Sequence, residues 1–291
     1  MPPVLPEAVA ERWRAAWGDA VVAGAASAIT APPPIDLTLA DPAWDGLAGN
    51  GIEVPALAAG HRRLPAGSEI AALPGYDAGA WWVQDIAASI PARLIGRGDG
   101  LALDLCAAPG GKTMQLAAAG WRTIAVDSSE SRAARLRDNR ERTGLAFDIV
   151  TADVLRWSPP EPAQAVLVDA PCSATGIFRR HPDVLYRAHP GVIADMAALQ
   201  ARILARAADW VAPGGTLVYA TCSLERAEGE AQIAAFLDAR RDFTIAPVAA
   251  GELPDGIAPA PEGWVRTLPG MLADAGGCDG FFVARVRRAS A

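Results

Sequence analysis

The chain predicts an α/β fold: a Rossmann-like, mostly parallel sheet with helices on both faces, preceded by a small α+β module. Three observations carry this. From Leu101 onward, short apolar runs alternate with stretches of helical periodicity, the signature of successive βα units. Those runs are apolar almost throughout, as strands buried on both faces are. Before about residue 75 the pattern is instead broken by Pro and Gly, which divides the chain into a module over 1–75 and a larger domain over 76–291.

Taken in order, Glu7 to Ile29 reads as one helix, with Trp13 and Trp17 four apart on one face. Ala31-Pro32-Pro33-Pro34 ends it. Ile35-Asp36-Leu37-Thr38-Leu39 alternates like a strand. Short strands and turns follow through Gly51, Gly60, Pro65, Gly67 and Pro74-Gly75, and Val83 to Ile95 reads as a helix interrupted at Pro91. In the larger domain, strands are expected at Leu101–Cys106, Thr123–Asp127, Phe147–Val150, Ala165–Asp169, Thr216–Thr221 and Phe281–Arg287. Helices are expected over about Thr113–Ala119, Ser129–Arg142, Val192–Val211, closed by Pro213-Gly214-Gly215, and Glu225–Arg241.

The totals exclude several classes. At 291 residues, 51% hydrophobic and 20% charged, the chain can bury a sizeable core. No apolar run approaches the ~18 residues of a membrane span, and Met1 to Glu11 lacks the basic and apolar regions of a signal peptide, so a cytoplasmic protein without a membrane partner is expected. The four cysteines, Cys106, Cys172, Cys222 and Cys278, lie far apart without a CxxC or Cys/His cluster, which argues against a metal site and a disulfide framework. A net charge of −7 argues against nucleic-acid binding through the overall field, leaving room only for a focused basic path.

In a sheet of this kind, ligands bind beyond the C-terminal strand ends. There the sequence places Asp104-Leu105-Cys106, Asp127, Asp153, Asp169 and Thr221-Cys222-Ser223. The turn Ala107-Ala108-Pro109-Gly110-Gly111-Lys112-Thr113 follows the first of these strands, and its glycines permit close backbone approach to a ligand. A phosphate loop would need glycine where Cys106 stands, and the Gly-x-Gly-x-x-Gly of dinucleotide folds is absent. A loop for the carboxylate end of an amino-acid-bearing nucleoside remains open. Asp127 suits ribose hydroxyls, with a helix cap beside Ser128 and Ser129 as the rival reading. Asp153 suits an adenine amino group or a turn. Cys172 in Asp169-Ala170-Pro171-Cys172-Ser173 and Cys222 in Thr221-Cys222-Ser223 follow strands that can be neighbours, so two thiols can face one cleft. A thiolate adding to C6 of cytosine activates C5 toward a methyl sulfonium. The scheme needs one reactive cysteine, a group for the N3/N4 edge and a base for the C5 proton.

Leu103-Asp104-Leu105-Cys106-Ala107-Ala108-Pro109-Gly110-Gly111-Lys112-Thr113, Asp169-Ala170-Pro171-Cys172-Ser173 and Ala220-Thr221-Cys222-Ser223 together resemble the Nol/Nop/Sun (Fmu, RsmB-like) family of S-adenosylmethionine-dependent RNA cytosine-5 methyltransferases. Trp82-Val83-Gln84-Asp85, Gly176 to Asp183 and Gly280-Phe281-Phe282-Val283 extend the similarity from about Leu5 to Arg288. The resemblance implies that S-adenosylmethionine contacts Cys106, Ala107, Ala108, Pro109, Gly110, Gly111, Lys112, Asp127, Asp153 and Asp169, with Asp169 also near the cytosine. It further implies that Cys222 forms the covalent adduct and Cys172 assists proton removal and release, an RNA rather than DNA arrangement. RNA, ribosomal in the first instance, is then the partner of a monomeric enzyme, with Arg179, Arg180 and His181 suited to phosphate contacts at the cleft mouth. Arg62, Arg63, Arg285, Arg287 and Arg288 are further basic candidates. Two departures leave the RNA target open. The sequence begins too late to include the NusB-type helical domain of bacterial ribosomal members, and Leu37-Thr38-Leu39-Ala40-Asp41 replaces an Arg-Val-Asn-like strand. The alternatives are tRNA, or a non-catalytic RNA-binding assembly factor.

Overall fold

The computed structural model describes residues 4–52 and 54–290. Eight strands form the main sheet. The parallel part comprises β4 (Leu101–Leu105), β5 (Arg122–Asp127), β6 (Phe147–Thr151), β7 (Ala163–Asp169) and β8 (Val211–Thr221). Its spatial order is β8-β7-β4-β5-β6, so the chain reverses direction across the sheet between β4 and β7. Such a reversal opens a crevice at the C-terminal strand ends. The far edge is antiparallel: β11 (Phe281–Arg288) pairs β8, and β9 (Phe243–Ile245) and β10 (Val265–Thr267) pair β11.

Two cores cover the sheet. One side packs Leu103, Val166, Tyr219 and Phe282 against α7 (Pro190–Asp209) and α8 (Glu230–Ala239). The other packs Ala102, Leu167, Val218 and Val283 against α3 (Ile86–Ile95). Sheet residues alternate between the two sides, and both are apolar, which is why these strands read as continuous hydrophobic runs.

The N-terminal region holds a three-stranded antiparallel sheet, β1 (Ile35–Leu39), β2 (His61–Leu64) and β3 (Trp81–Val83), with β1 in the middle. Its third strand comes from beyond residue 75. Asp36 on β1 receives both arms of Arg63 at 2.6 and 2.7 Å and also the Ile86 N–H at 2.9 Å, which locks this sheet to the start of α3. Burial opposes the charge on Asp36, but hydrogen bonds from Arg63 and His61 outweigh it and hold its carboxyl down at about 2.

Several boundaries differ from expectation for local reasons. The first helix is two, α1 (Glu7–Trp17) and α2 (Asp19–Ala28), because Gly18 takes φ 86° and ends the first. Both pack on the loops that follow β7 and β8, where the Trp13 ring lies tilted against Phe178 with centroids 5.6 Å apart. α3 starts only at Ile86, capped by the Asp85 side chain, which accepts from the Ala87 N–H at 2.9 Å, and it runs through Pro91. α7 ends at Asp209, and Pro213-Gly214-Gly215 lies inside β8 instead of closing the helix. The remaining helices are α4 (Gly111–Ala118), α5 (Glu130–Thr143) and the short α6 (Val184–Arg187).

Candidate active site

β7 and β8 are parallel neighbours, with Asp169 opposite Ala220. The two cysteine loops therefore leave the sheet side by side. The Ala170 N–H donates to the Ala220 carbonyl at 2.9 Å, and the Gly176 N–H donates to the Cys222 carbonyl at 2.9 Å. Gly176 is wedged between the Cys222 and Gly280 carbonyls, and a methyl group there would overlap the Gly280 carbonyl oxygen, so only glycine fits. The result brings the Cys172 and Cys222 sulfurs to 3.4 Å.

Two cavities meet at this edge. One, of about 420 Å³, is lined by Cys106, Ala108, Asp153, Asp169, Cys172 and Cys222. The other, of about 590 Å³, is lined by Ala107, Pro109, Gly111, Lys112, Arg180 and His181, with Trp82 of β3, Asp85 at the start of α3, and again Asp169. Both volumes suit a small ligand or a single base. Asp169 is the carboxylate common to the two, and the Lys112 ammonium donates to its Oδ2 at 2.7 Å. Residues 106–109 thus form a wall, with alternate residues facing opposite cavities, and Gly111 and Lys112 continue the side of the second.

That wall is shaped by backbone conformation. Cys106 takes φ 61°, so the left-handed turn that a phosphate loop assigns to glycine is made here by a cysteine. Gly110, at φ 108°, precedes α4, whose first turn carries Lys112 into the interior. Burial raises the Cys106 thiol to about 12, with Asp169 and Asp127 adding to it, so Cys106 is held neutral. Lys112 stays protonated despite burial because of Asp169, with Asp104 and Cys222 also contributing. Asp104, beneath the turn, accepts from the Thr113 hydroxyl at 2.5 Å, and burial lifts its carboxyl to about 7.

Asp127 is 1% exposed and stands behind the wall. Its Oδ2 accepts from the Ala108 N–H at 3.1 Å, and its Oδ1 accepts from the Ser129 N–H and from Arg132, both at 2.9 Å. The cap of α5 is Ser129, so Asp127 is not that cap. Asp153 has Oδ1 on the Leu155 N–H at 2.9 Å and keeps half of its side chain exposed at the first cavity.

The basic candidates separate. Arg179, whose side chain is only 5% exposed, is committed to Asp85 at 3.2 Å and Asp279 at 3.5 Å and does not reach the mouth. Arg180 pairs with the same two carboxylates, keeps a third of its side chain exposed and lines the second cavity with His181. Arg63 is buried on Asp36, and Arg285 is paired with Glu252. Asn139 and Arg142 on α5, which the sequence did not single out, line the same cavity as Arg180. Only their shared helix face, three residues apart, hinted at it.

The two thiols are not equivalent. Cys172 is pushed well above the usual thiol range, first by its hydrogen bond with Cys222, then by burial, with charge at Cys222 and Glu228 adding to both. Glu228 and Gln200, fully buried beneath the cysteine loops, also escaped sequence reading, since a glutamate six residues after Cys222 looks like a helix-cap residue. Among the described residues, no group of three or more His, Cys, Asp or Glu is placed to hold a metal, and no helix is long and apolar enough to cross a membrane.

Comparison with known proteins follows the same lines. Residues 94–287 match the family model described as 16S rRNA methyltransferase RsmB/F. The chain is 40% identical over 230 residues to ribosomal RNA small subunit methyltransferase B of Sodalis glossinidius, covering 77% of this chain and 50% of that protein. Against the protein of the same name from Shewanella oneidensis it is 37% identical over 237 residues, covering 78% and 52%. The chain spans about half the length of the curated relatives it matches. Among solved structures, a methyltransferase homolog protein from Pyrococcus horikoshii superposes with a TM-score of 0.80 at 25% identity, covering 97% of this chain and 95% of that one.

Proposed function

The chain belongs to the 16S rRNA methyltransferase RsmB/F family, and on that premise we propose that it transfers a methyl group from S-adenosylmethionine to C5 of a cytosine in ribosomal RNA, in the cytoplasm, through a covalent bond between Cys222 and C6. The observation that carries this reading is the pair of sulfurs 3.4 Å apart, which line the first cavity together with Asp169, the carboxylate it shares with the second.

The first cavity fits the methyl donor. Its carboxylates, Asp153 and Asp169, suit a cationic sulfonium compound with adenine amino and ammonium groups, and its volume lies in the range of ligand sites. Asp153 would hold the adenine edge, Asp127 the ribose once Arg132 gives way, and the turn around Cys106 to Gly110 the amino-acid end. The donor supplies an electrophilic methyl group there. The second cavity, with Trp82, Lys112, Arg180 and His181, suits an unstacked cytosine and its flanking phosphate.

Beside the shared Asp169, Cys222 adds as thiolate to C6, which places electron density on C5. Asp169, paired with Lys112, accepts from the cytosine N4 amino group and orients the ring. After C5 gains its methyl group, the C5 proton passes to water or to an ionised Cys172, the C5–C6 double bond re-forms and the Cys222 sulfur leaves with the C–S electron pair. Cys172, held as a thiol until its neighbour is consumed, is placed to assist that last exchange.

Bisulfite sequencing of total RNA from cells with and without the gene checks activity and target together. A cytosine protected only in the parent strain supports the reading and shows whether ribosomal RNA or tRNA carries the mark. Identical maps, with purified protein also failing to transfer labelled methyl groups to RNA from the deletion strain, would favour an assembly role without catalysis.

A further inference from the structure

Glu228 is a fully buried carboxylate for which the covalent scheme has no task. It belongs to the turn after β8, and no arginine, lysine or histidine pairs with it among the described residues. A buried charge without a counter-ion persists only where hydrogen bonds replace water. Here four do. Oε1 accepts the Ser173 N–H at 2.8 Å and the Gln200 amide at 3.0 Å, and Oε2 accepts the hydroxyls of Ser223, at 2.5 Å, and of Ser173. Ser173 directly follows Cys172, and Ser223 directly follows Cys222. Gln200 also donates to the Pro171 carbonyl at 2.8 Å, gripping the Cys172 loop from its other end. The Glu228 carbonyl in turn accepts from Tyr219 at 2.8 Å and Thr221 at 3.3 Å, which fixes it to the strand that delivers Cys222.

We propose that Glu228 is a positioning residue of the two-thiol site: one carboxylate clasps the Cys172 and Cys222 loops in a common frame and sets the two thiols in unequal surroundings, so that Cys222 attacks and Cys172 serves release. This rests on the covalent reading above. The charges facing the pair agree with it. Glu228 contacts both loops and adds to the upward push on the Cys172 thiol, while the Lys112 ammonium, held by Asp169, interacts favourably with charge at Cys222. The arrangement divides two chemically identical side chains into a nucleophile and a proton carrier through the groups behind them.

The substitution Glu228→Gln isolates the role. The amide keeps an oxygen toward the Ser173 N–H and Gln200, and the serine hydroxyls can rotate to accept from its NH2, so packing is retained while charge and hydroxyl orientation are lost. Two readouts are made on the full chain. In methyl transfer to RNA, kcat falls by about tenfold to a hundredfold while KM for RNA and for S-adenosylmethionine stays within about twofold, since binding surfaces are untouched. In the protein alone, iodoacetamide labelling at one fixed pH, followed by mass spectrometry, shows the rate at Cys172 relative to Cys222 rising by about threefold or more, because the charge opposing a Cys172 thiolate is gone. Should Glu228→Gln not fold, the double variant Ser173→Ala with Ser223→Ala removes both hydroxyls from the clasp, and the same loss in kcat at constant KM is expected. A folded variant with parental kcat and labelling ratio overturns the proposal, as does one that is only less stable. If the parent protein itself methylates no RNA, the functional reading fails, and the labelling ratio still decides the role of Glu228.

Discussion

The Cys172 and Cys222 sulfurs lie 3.4 Å apart without a bond, each at the end of a loop that leaves one of two adjacent parallel strands. A disulfide needs about 2.05 Å between sulfurs, so a modest shift of either loop closes the gap. Oxidised glutathione at mildly alkaline pH is expected to join the pair by exchange: the thiolate of one cysteine displaces glutathione, and its neighbour then displaces the second glutathione. Peptide mapping should show Cys172 linked to Cys222 and methyl transfer lost, both reversed by dithiothreitol. A map in which Cys106 or Cys278 is cross-linked instead would contradict the geometry.

The ion pair between Lys112 and Asp169 separates the two cavities and is largely out of water. Replacing Lys112 with methionine strands the carboxylate. Chemical unfolding should show a loss of about 3 kcal/mol, and kcat/KM for methyl transfer should fall by about a hundredfold as the group beside the reacting base loses its orientation. Parental kinetics in a stable Lys112→Met protein would remove this pair from the mechanism.

Much of the site was legible because strand-end residues can be read from apolar periodicity. Asp169, Cys172 and Cys222 lie where strands Ala163–Asp169 and Val211–Thr221 end, and the pairing of those strands brings the cysteines together. Other features depend on contacts that sequence spacing does not encode. Arg179 reads as a free cation at the cleft mouth, yet Asp85 and Asp279, about a hundred residues away on either side, draw it inward. Burial then lifts Asp279 itself to about 7, with Asp85 next among the causes and the arginines opposing. The left-handed turn at Cys106 breaks the rule that such a position asks for glycine, and the break at Gly18 divides a stretch whose periodicity is helical throughout. Local pattern fixed the element types, while long-range ion pairs and single dihedrals decided which side chains face the cavities.

The first helix is tied to the loop that follows Cys222. The Trp13 indole N–H donates to Glu225 at 3.1 Å, Arg12 adds a second bond at 2.9 Å, and Trp13 is wholly buried. Trp13→Ala should destabilise the protein by about 3 to 5 kcal/mol through the cavity it leaves. Limited proteolysis should then cut near Gly18 first. Retention of parental stability would mean that this helix is not part of the folded unit.

Asp36 sets an acid limit. Its carboxyl sits near 2 in the folded protein against 3.8 as its ordinary value. A depressed acid contributes stability that is complete above its unfolded value and is lost as pH falls toward its folded one. The contribution is about 2 kcal/mol, present above pH 4 and lost between pH 4 and 2. Asp36→Asn should therefore lower the parental stability at neutral pH and flatten its decline in that window. Unfolding curves at a series of pH values measure this, and parallel declines in the two proteins would assign the acid sensitivity to other groups.

The division of labour between the two thiols is tested most directly by trapping. Purified Cys172→Ala and Cys222→Ala variants are incubated with S-adenosylmethionine and ribosomal RNA lacking the modification, then resolved under denaturing conditions. Cys172→Ala is expected to accumulate a covalent protein–RNA complex, because addition proceeds and release is slowed, whereas Cys222→Ala forms none and transfers no methyl group. A complex formed by Cys222→Ala and absent from Cys172→Ala would reverse the assignment and contradict the account.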